Sequence, residues 1–328
     1  MAMRTVFLIG NGFDLNLNLK TSYSEFYKFY INQESNKKVV ASLKRSINSN
    51  LSNWADLKLE LGNYTVNIDN QSDFDLIFDD VGENLAKFLI DREKELDINS
   101  LNPSVLFTDL CQAEKHLLPS DRRKVLAFKN EFGSVEHAVD IINFNYTKTI
   151  ETILENNYQN LKLGLFRNKN PVILKNIYHI HGFTDDRMVF GVNDKSQIAN
   201  ESFHSNKDIL ESLIKNECNI AHKHTVEEQC QNLIKNANVI CVFGSSLGDT
   251  DKIWWEEIGL RLKHSNARLI IFYKGETIPK RISHRAARYE RAIKEDFLNK
   301  ANVDDEIREV IDSRIFFCYN SKVFSLVK

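Results

Sequence analysis

The stretch Arg4-Thr5-Val6-Phe7-Leu8-Ile9-Gly10-Asn11-Gly12-Phe13-Asp14 decides the fold of this chain. An apolar run that ends in Gly-x-Gly and leads into a helix-capable segment predicts a strand, a tight turn and a helix. Glycines let the backbone approach a phosphate, and the start of the next helix presents free N–H groups to it. Leu15 replaces the third glycine of the usual dinucleotide fingerprint. Because Gly-x-Gly also serves simply to reverse a chain, its position after the first strand is what favours a ligand-binding edge.

The composition is that of an ordinary globular protein. Of the 328 residues, 42% are hydrophobic and 27% are charged. The 43 basic and 45 acidic residues leave a formal net charge of -2, so no overall field attracts nucleic acid. We find no apolar stretch long enough to cross a bilayer and no signal-peptide pattern. We therefore expect a cytoplasmic protein that binds neither a membrane nor nucleic acid. The five cysteines lack the spacing of disulfides or metal ligands, so we expect no metal.

Seven short apolar runs predict a sheet. They cover residues 5–9, 139–146, 177–181, 188–192, 239–243, 269–273 and 315–319. Most are continuous rather than alternating, which is typical of strands buried on both faces of a mostly parallel sheet. We expect a single α/β domain over residues 1–328, with a Rossmann-like sheet and helices on both faces. Two predominantly helical insertions are predicted, at residues 35–137 and 195–236.

Polar residues follow the second and third of these runs. Asn145 and Thr147 follow the second run, and His179-Ile180-His181-Gly182 ends the third. Such positions lie at the edge where α/β sheets bind ligands. Asn145 can orient a ribose hydroxyl or a water, or it caps the turn. His181 is either a general base that titrates near neutral pH or a hydrogen-bonded core histidine. Alternation along a strand predicts that His179 and His181 share one face.

A second glycine-rich stretch, Gly244-Ser245-Ser246-Leu247-Gly248-Asp249-Thr250-Asp251, follows the apolar run at residues 239–243. It matches G-x-S-x-G, the nucleophile elbow of serine hydrolases. That class needs an acid and then a histidine on later loops, but the last histidines are His264 and His284. A second phosphate or ribose cradle formed by Gly244, Ser245 and Ser246, with Asp249 or Asp251 binding hydroxyls, is therefore favoured. A tight turn with an aspartate capping the next helix is the simpler alternative.

The chain resembles the abortive-infection AbiH family of bacterial anti-phage proteins. The resemblance rests on the two glycine stretches together with Lys20-Thr21-Ser22-Tyr23-Ser24-Glu25-Phe26, Phe144-Asn145-Tyr146-Thr147, Tyr178-His179-Ile180-His181-Gly182 and Gly191-Val192-Asn193-Asp194. The same blocks distantly resemble the sirtuin-like NAD-binding fold, whose defence members destroy NAD. That resemblance implies pyrophosphate at Gly10 and Gly12, the nicotinamide ribose at Asn145, and a base at His181. Asn11 and Thr147 depart from the sirtuin-like pattern, which usually has a small residue and an aspartate there.

The resemblance implies an NAD-consuming hydrolase of the bacterial cytoplasm that releases nicotinamide and ADP-ribose and so arrests the infected cell. We predict His181 and Asn145 as the catalytic residues and NAD as substrate or ligand. The predicted NAD-binding residues are Gly10, Asn11, Gly12, Phe13, Asp14, Thr147, His179, Gly244, Ser245, Ser246 and Asp249.

Other functions stay open at this point. The main alternative is a module that senses NAD or another nucleotide without turnover and signals by homo-oligomerisation or through a partner. A serine hydrolase acting through Ser246 is less favoured. A nuclease that uses the basic residues Arg281, Arg285 and Arg288 is the least favoured, because the chain has no basic domain around them.

Overall fold

A seven-stranded sheet forms the centre of the computed structural model, which describes residues 2–51, 53–167, 169–279, 281 and 284–328. The strands are β1 (Met3–Ile9), β2 (His137–Asn143), β3 (Leu161–Phe166), β4 (Asn170–His179), β5 (Val239–Phe243), β6 (Arg268–Tyr273) and β7 (Ile315–Tyr319). Their order is β3-β4-β2-β1-β5-β6-β7. All neighbours are parallel except β3 and β4. The predicted α/β class and mostly parallel sheet are therefore confirmed.

Three parts of the sheet differ from the prediction. Residues 188–192 are not a strand, and among the described residues they form only an isolated bridge between Val192 and Ile214. Phe190 and Val192 are buried by helices instead, which produces the same apolar pattern. Strand β3 was missed because it lies at the sheet edge, where four of its six residues are only partly buried or exposed. The prediction also missed the first part of β4.

The described residues also form fourteen α-helices. They are α1 (Gly12–Asn16), α2 (Tyr23–Tyr30), α3 (Lys38–Ser49), α4 (Leu57–Tyr64), α5 (Gln71–Glu93), α6 (Pro103–Cys111), α7 (Pro119–Asn130), α8 (Thr149–Ile153), α9 (Lys207–Leu213), α10 (Lys215–Ala221), α11 (Val226–Lys235), α12 (Lys252–Lys263), α13 (His284–Lys300) and α14 (Asp305–Asp312). No helix within the described ranges is long and apolar enough to span a membrane.

Alternating side chains of the central strands enter two separate hydrophobic cores. On β1, Phe7 and Ile9 pack with residues of α6 and α7, whereas Val6 and Leu8 pack with residues of α11 and α12. This is the period-two geometry of a strand covered by helices on both faces.

A third core contains no strand residues. It joins α2, α3, α4 and α5 to α9 through apolar side chains such as Phe26, Leu43, Leu61, Val81 and Leu213. Residues from both predicted insertions thus share one helical layer. The carboxyl ends of the parallel strands face this layer, as the lining of the cavity described next shows.

Candidate functional site

The sheet has a topological switch point beside β1. The chain leaves β1 toward β2 on one side and later returns to β5 on the other, and both strands are parallel to β1. Ile9 lies opposite Asn143 and Phe243, so the segments that follow these three strands begin at the same level. In open α/β sheets, ligands bind in the crevice at such a point.

A cavity of about 1590 Å³ occupies this crevice, and we call it the edge cavity. Its walls include the first loop (residues 10–14), the second loop (residues 244–251) and residues of α2, α4 and α5. Nine of the predicted site residues line it: Gly10, Asn11, Gly12, Asp14, Asn145, Thr147, Gly244, Ser245 and Ser246. Among the described residues, Phe13, His179, His181 and Asp249 are not part of its lining.

The glycines of the two loops are packed directly against each other. A Cβ added to Gly10 would lie 2.6 Å from the carbonyl oxygen of Gly244, and one on Gly12 would lie 2.4 Å from its Cα. Gly244 itself has φ +69°, in the left-handed region that favours glycine. The N–H groups of Gly10 and Gly12 donate to the carbonyls of Phe243 and Gly244 at 2.8 and 2.9 Å. The contact between the two loops is therefore sufficient by itself to explain the glycines at these positions.

Some other backbone N–H groups of the two loops have no acceptor within the described part of the chain. No described residue accepts a hydrogen bond from the N–H of Asn11, Ser245 or Ser246, and all three residues line the edge cavity. The Asn11 side chain is held by Thr21, whose hydroxyl donates to its Oδ1 at 2.6 Å. Free N–H groups from two adjacent loops form the kind of concave donor set that binds phosphate oxygens.

Asp14 is a buried carboxylate that is tied to the loop after β2. The hydroxyls of Thr147 and Thr149 each donate to it at 2.7 Å. Burial raises the pKa of the Asp14 carboxyl above its usual value, although these two hydrogen bonds oppose the rise. Its neighbour Phe13 instead faces the core, with its ring 5.6 Å from that of Phe324. Asp14 and Thr147 are thus brought together, and Phe13 anchors the short helix.

Asn145 is held on three sides. Its N–H donates to Asn143 Oδ1 at 3.0 Å, and its Nδ2 donates to the Gly10 carbonyl at 3.3 Å. Its carbonyl oxygen lies 2.8 Å from Nδ1 of His179. No described residue donates a hydrogen bond to its Oδ1. The side chain lines the edge cavity and is fixed with one acceptor unused, which suits the orientation of a ligand hydroxyl or a water.

His179 connects β4 to α8. Its Nε2 lies 2.7 Å from Glu151 Oε1, and both side chains are buried. With Nδ1 engaged by Asn145, both ring nitrogens have partners. Its role in the structure is to hold the segment after β2.

His181 lies behind the wall of the edge cavity. Strand β4 ends at His179, so strand alternation does not extend to His181 and the two imidazoles have different partners. His181 is 2% exposed and borders a separate cavity of about 40 Å³. Its Nε2 lies 3.2 Å from Asp251 Oδ1 without hydrogen-bond geometry. Burial, together with the charges of Lys58 and Lys215, lowers the pKa of His181 to about 3.

A charged cluster at the cavity wall was not predicted from the sequence. Lys215 of α10 donates to Asp251 at 2.7 Å, and the Lys58 ammonium of α4 lies 3.9 Å from the same carboxylate oxygen. Burial by itself would raise the pKa of the Asp251 carboxyl, but Lys215, Lys58 and His181 hold it well below its usual value. Asp251 and Lys58 line the edge cavity, whereas the predicted Asp249 is exposed and lies 3.4 Å from Lys300.

Asp56 explains why Lys58 occupies this position. Asp56 is the N-cap of α4, and its Oδ1 accepts the N–H groups of Lys58 and Leu59 at 3.0 and 3.3 Å. Its Oδ2 accepts the Thr250 hydroxyl at 3.0 Å. The start of α4 is therefore joined to the second loop. An aspartate preceding a helical run was the one sequence signal here, and it indicates a cap rather than a site.

The second loop does not have the features of a serine nucleophile elbow. Its left-handed residues are Gly244 and Leu247, with φ 69° and 54°, and not Ser246. Ser246 is exposed, and no described imidazole forms a hydrogen bond with its hydroxyl. Trp255 and Lys300 fix the loop instead, donating to the carbonyls of Gly248 and Leu247 at 3.1 and 2.7 Å.

The comparisons with known proteins identify a family. The family model described as "Bacteriophage abortive infection AbiH" matches residues 6–273, which include both loops, Asn145, His181 and Asp251. No curated protein matches the chain. With the match spanning β1 to β6, the chain belongs to the bacteriophage abortive infection AbiH family, and this membership implies a role in abortive infection.

Proposed function

We propose that this protein hydrolyses NAD to nicotinamide and ADP-ribose, and that this reaction arrests the infected cell. The observation that carries the proposal is the set of free N–H groups of Asn11, Ser245 and Ser246 in a cavity at the switch point. The cavity exceeds the usual range of about 300–1,000 Å³ for small-molecule sites, so it has room for a dinucleotide. A sirtuin-like identity of the sheet is part of the same proposal.

The two loops would hold the pyrophosphate through these N–H groups rather than through those of Gly10 and Gly12, which have acceptors within the chain. Asn145 would orient the nicotinamide ribose or the attacking water with its unused Oδ1. Aromatic side chains on the helical wall, Tyr23, Tyr27 and Trp54, offer flat surfaces for a base or a nicotinamide ring.

The chemistry requires little from the protein. Nicotinamide leaves as a neutral group from a cationic precursor, so no general acid is needed. The site must hold the ribose in position and stabilise positive charge as it develops on the sugar. His181 was predicted as the base, but it does not line the edge cavity. It would contribute by positioning Asp251, whose Oδ1 lies 3.2 Å from its Nε2.

Release of nicotinamide and ADP-ribose from NAD, followed by chromatography, tests this function. The wild type and Asn145→Ala are compared with Asn266→Ala, an exposed asparagine at the opposite end of the sheet. We expect release by the wild type and the control, and a loss of about 100-fold or more in Asn145→Ala. NAD binding without release would favour the sensing module, and absence of both would refute an NAD function.

A further inference from the structure

Lys58 is the one lysine of the edge cavity wall, within the described residues, that is buried. It is 6% exposed, whereas Lys28, which also lines the cavity, has 65% of its side chain exposed and is paired with Glu25. No described residue accepts a hydrogen bond from Nζ of Lys58. Its closest ionic partner, Asp251 Oδ1, lies at 3.9 Å, beyond hydrogen-bond distance. A buried amine with unused hydrogen-bonding capacity is thus presented at the wall of a ligand-sized cavity.

The groups around Lys58 come from several separate segments of the chain. Asp251 faces it from the second loop, and Lys215 approaches from α10. Asp56 caps the same helix, and the nearly uncharged His181 lies behind Asp251. Tyr23 and Tyr146 are close to the carboxylates of Asp56 and Asp251. Burial, with a smaller effect of these two carboxylates, raises the pKa of each phenol far above its usual value. Asp251 is already bonded to Lys215, so it only partly compensates a charge on Lys58.

These surroundings shift the protonation equilibrium of Lys58 toward the neutral amine. Burial lowers the pKa of Lys58 to about 8, Lys215 adds to the decrease, and Asp251 opposes it. Relative to a lysine of ordinary pKa 10.5, this raises the neutral fraction near pH 7 by about 300-fold. Lysines shifted in this way by burial are suited to general-base catalysis, because their pKa lies near the operating pH. His181, with its pKa near 3, is a much weaker acceptor.

We propose that the ε-amine of Lys58 is the proton acceptor of the edge cavity, taking a proton from the water that attacks the ribose. This assignment rests on the proposed NAD hydrolysis. The bond between the ribose C1′ and the pyridinium nitrogen breaks, and its electron pair stays with nicotinamide. The water oxygen bonds to C1′, and its proton converts the Lys58 amine into an ammonium beside Asp251. The ammonium then returns the proton to solvent.

In this scheme three charged residues position Lys58 or tune its charge: Asp56, Asp251 and Lys215. Asp56 positions the first turn of α4, Asp251 stabilises the ammonium that forms, and Lys215 keeps Asp251 from holding that ammonium permanently. These are positioning residues, and His181 belongs with them.

The protonation state of the Lys58 amine can be measured without NAD turnover. The wild-type protein is treated with trace acetic anhydride over a range of pH, and acetylation of each lysine is followed by mass spectrometry. We expect Lys58 to react with a midpoint near pH 8, and the exposed Lys207 serves as the internal reference for the reactivity of the reagent. NAD should protect Lys58. A midpoint of Lys58 near 10 overturns the assignment, and so does a lack of protection at saturating NAD.

The catalytic role is measured with Lys58→Arg, Lys58→Ala and the control Lys207→Ala, which replaces an exposed lysine outside the lining of the edge cavity. We expect both Lys58 variants to lower kcat by about 100- to 10,000-fold with little change in KM, while the control keeps wild-type rates. The rise in rate with pH toward a midpoint near 8 should disappear in Lys58→Arg. Methylamine added to Lys58→Ala should restore part of kcat, which a folding defect would not permit.

The two proposals fail differently. If the wild type releases no nicotinamide, NAD hydrolysis itself is refuted and the base assignment goes with it. If the wild type releases nicotinamide and the Lys58 variants keep its kcat and pH profile, only the assignment to Lys58 is overturned.

Discussion

Gly10, Gly12 and Gly244 are needed where two loops touch, and this contact sets the shape of the edge cavity. Each added Cβ would meet backbone atoms of the other loop at 2.4–2.8 Å, which side-chain rotation cannot relieve. The sequence predicted that Gly10 and Gly12 bind pyrophosphate, but their N–H groups have acceptors within the chain, whereas those of Asn11, Ser245 and Ser246 have none among the described residues.

Alanine substitutions distinguish the effect of the contact between the two loops from the effect of replacing a glycine as such. Gly10→Ala and Gly12→Ala should each lower the free energy of unfolding by about 1–3 kcal/mol, because the backbone of the second loop must move. Gly248→Ala is the control. Its Cβ would lie 3.7 Å from the closest atom and its φ is -60°, so we expect a change within about 0.5 kcal/mol. Urea unfolding measures all three, and equal losses would contradict the packing argument.

The position of Asn145 at the edge cavity could be predicted from the sequence because this residue follows a buried strand of a parallel sheet, where ligand-binding side chains lie. Lys58 could not be found this way. It lies in a helix distant in sequence from every predicted strand, and only the packing of α4 against the second loop brings it to the cavity. Likewise, the low pKa of His181 depends on burial behind Asp251, which no local pattern records.

At the scale of elements, the link between β4 and α8 supports the segment that carries Asn145. His179 and Glu151 form a buried pair at 2.7 Å, and Oε2 of Glu151 has no hydrogen-bond partner among the described residues. Removal of His179 would leave a carboxylate buried with no remaining side-chain partner. Such a loss is far more costly than the removal of both members of a pair.

His179→Ala should therefore lower the free energy of unfolding by about 3–5 kcal/mol. Glu151→Met with His179→Ala should lose less than the sum of the two single variants, because no unpaired carboxylate is left. A double-mutant cycle measured by urea unfolding gives the coupling. Additive losses, within about 0.5 kcal/mol, would show that the pair does not act as a unit.

The strands were predicted correctly where both faces of the sheet are buried, and the prediction failed where they are not. Central strands β1 and β5 appear as continuous apolar runs. Edge strand β3 and the start of β4 alternate or mix burial, and residues 188–192 are apolar because helices cover them. An apolar run therefore indicates only that a segment is buried. In this chain such a segment is buried either in the sheet or by the helices.

At the scale of the whole molecule, the helical layer of α2–α5 and α9 closes the edge cavity against the sheet. Residues of α2, α4 and α5 form the wall opposite the two loops. A ligand held between them contacts both layers, so its binding should stabilise the entire fold.

NAD should consequently raise the unfolding temperature of the Asn145→Ala variant, in which slow cleavage leaves the ligand intact. At about 100 times its dissociation constant, a ligand adds about 2.7 kcal/mol. For a chain of 328 residues this corresponds to a rise of about 4 °C. Scanning calorimetry with and without NAD measures the shift. Ser245→Trp, added to the same variant to fill the cavity, should abolish it, and an undiminished shift would place NAD elsewhere.

The crystal structure of Asn145→Ala grown with saturating NAD is the most direct test of the edge cavity as the NAD site. We expect the pyrophosphate against the N–H groups of Asn11, Ser245 and Ser246, with the nicotinamide ribose toward residue 145 and Lys58. An edge cavity without nucleotide in such crystals, or a dinucleotide bound at another surface, would refute the assignment of this cavity.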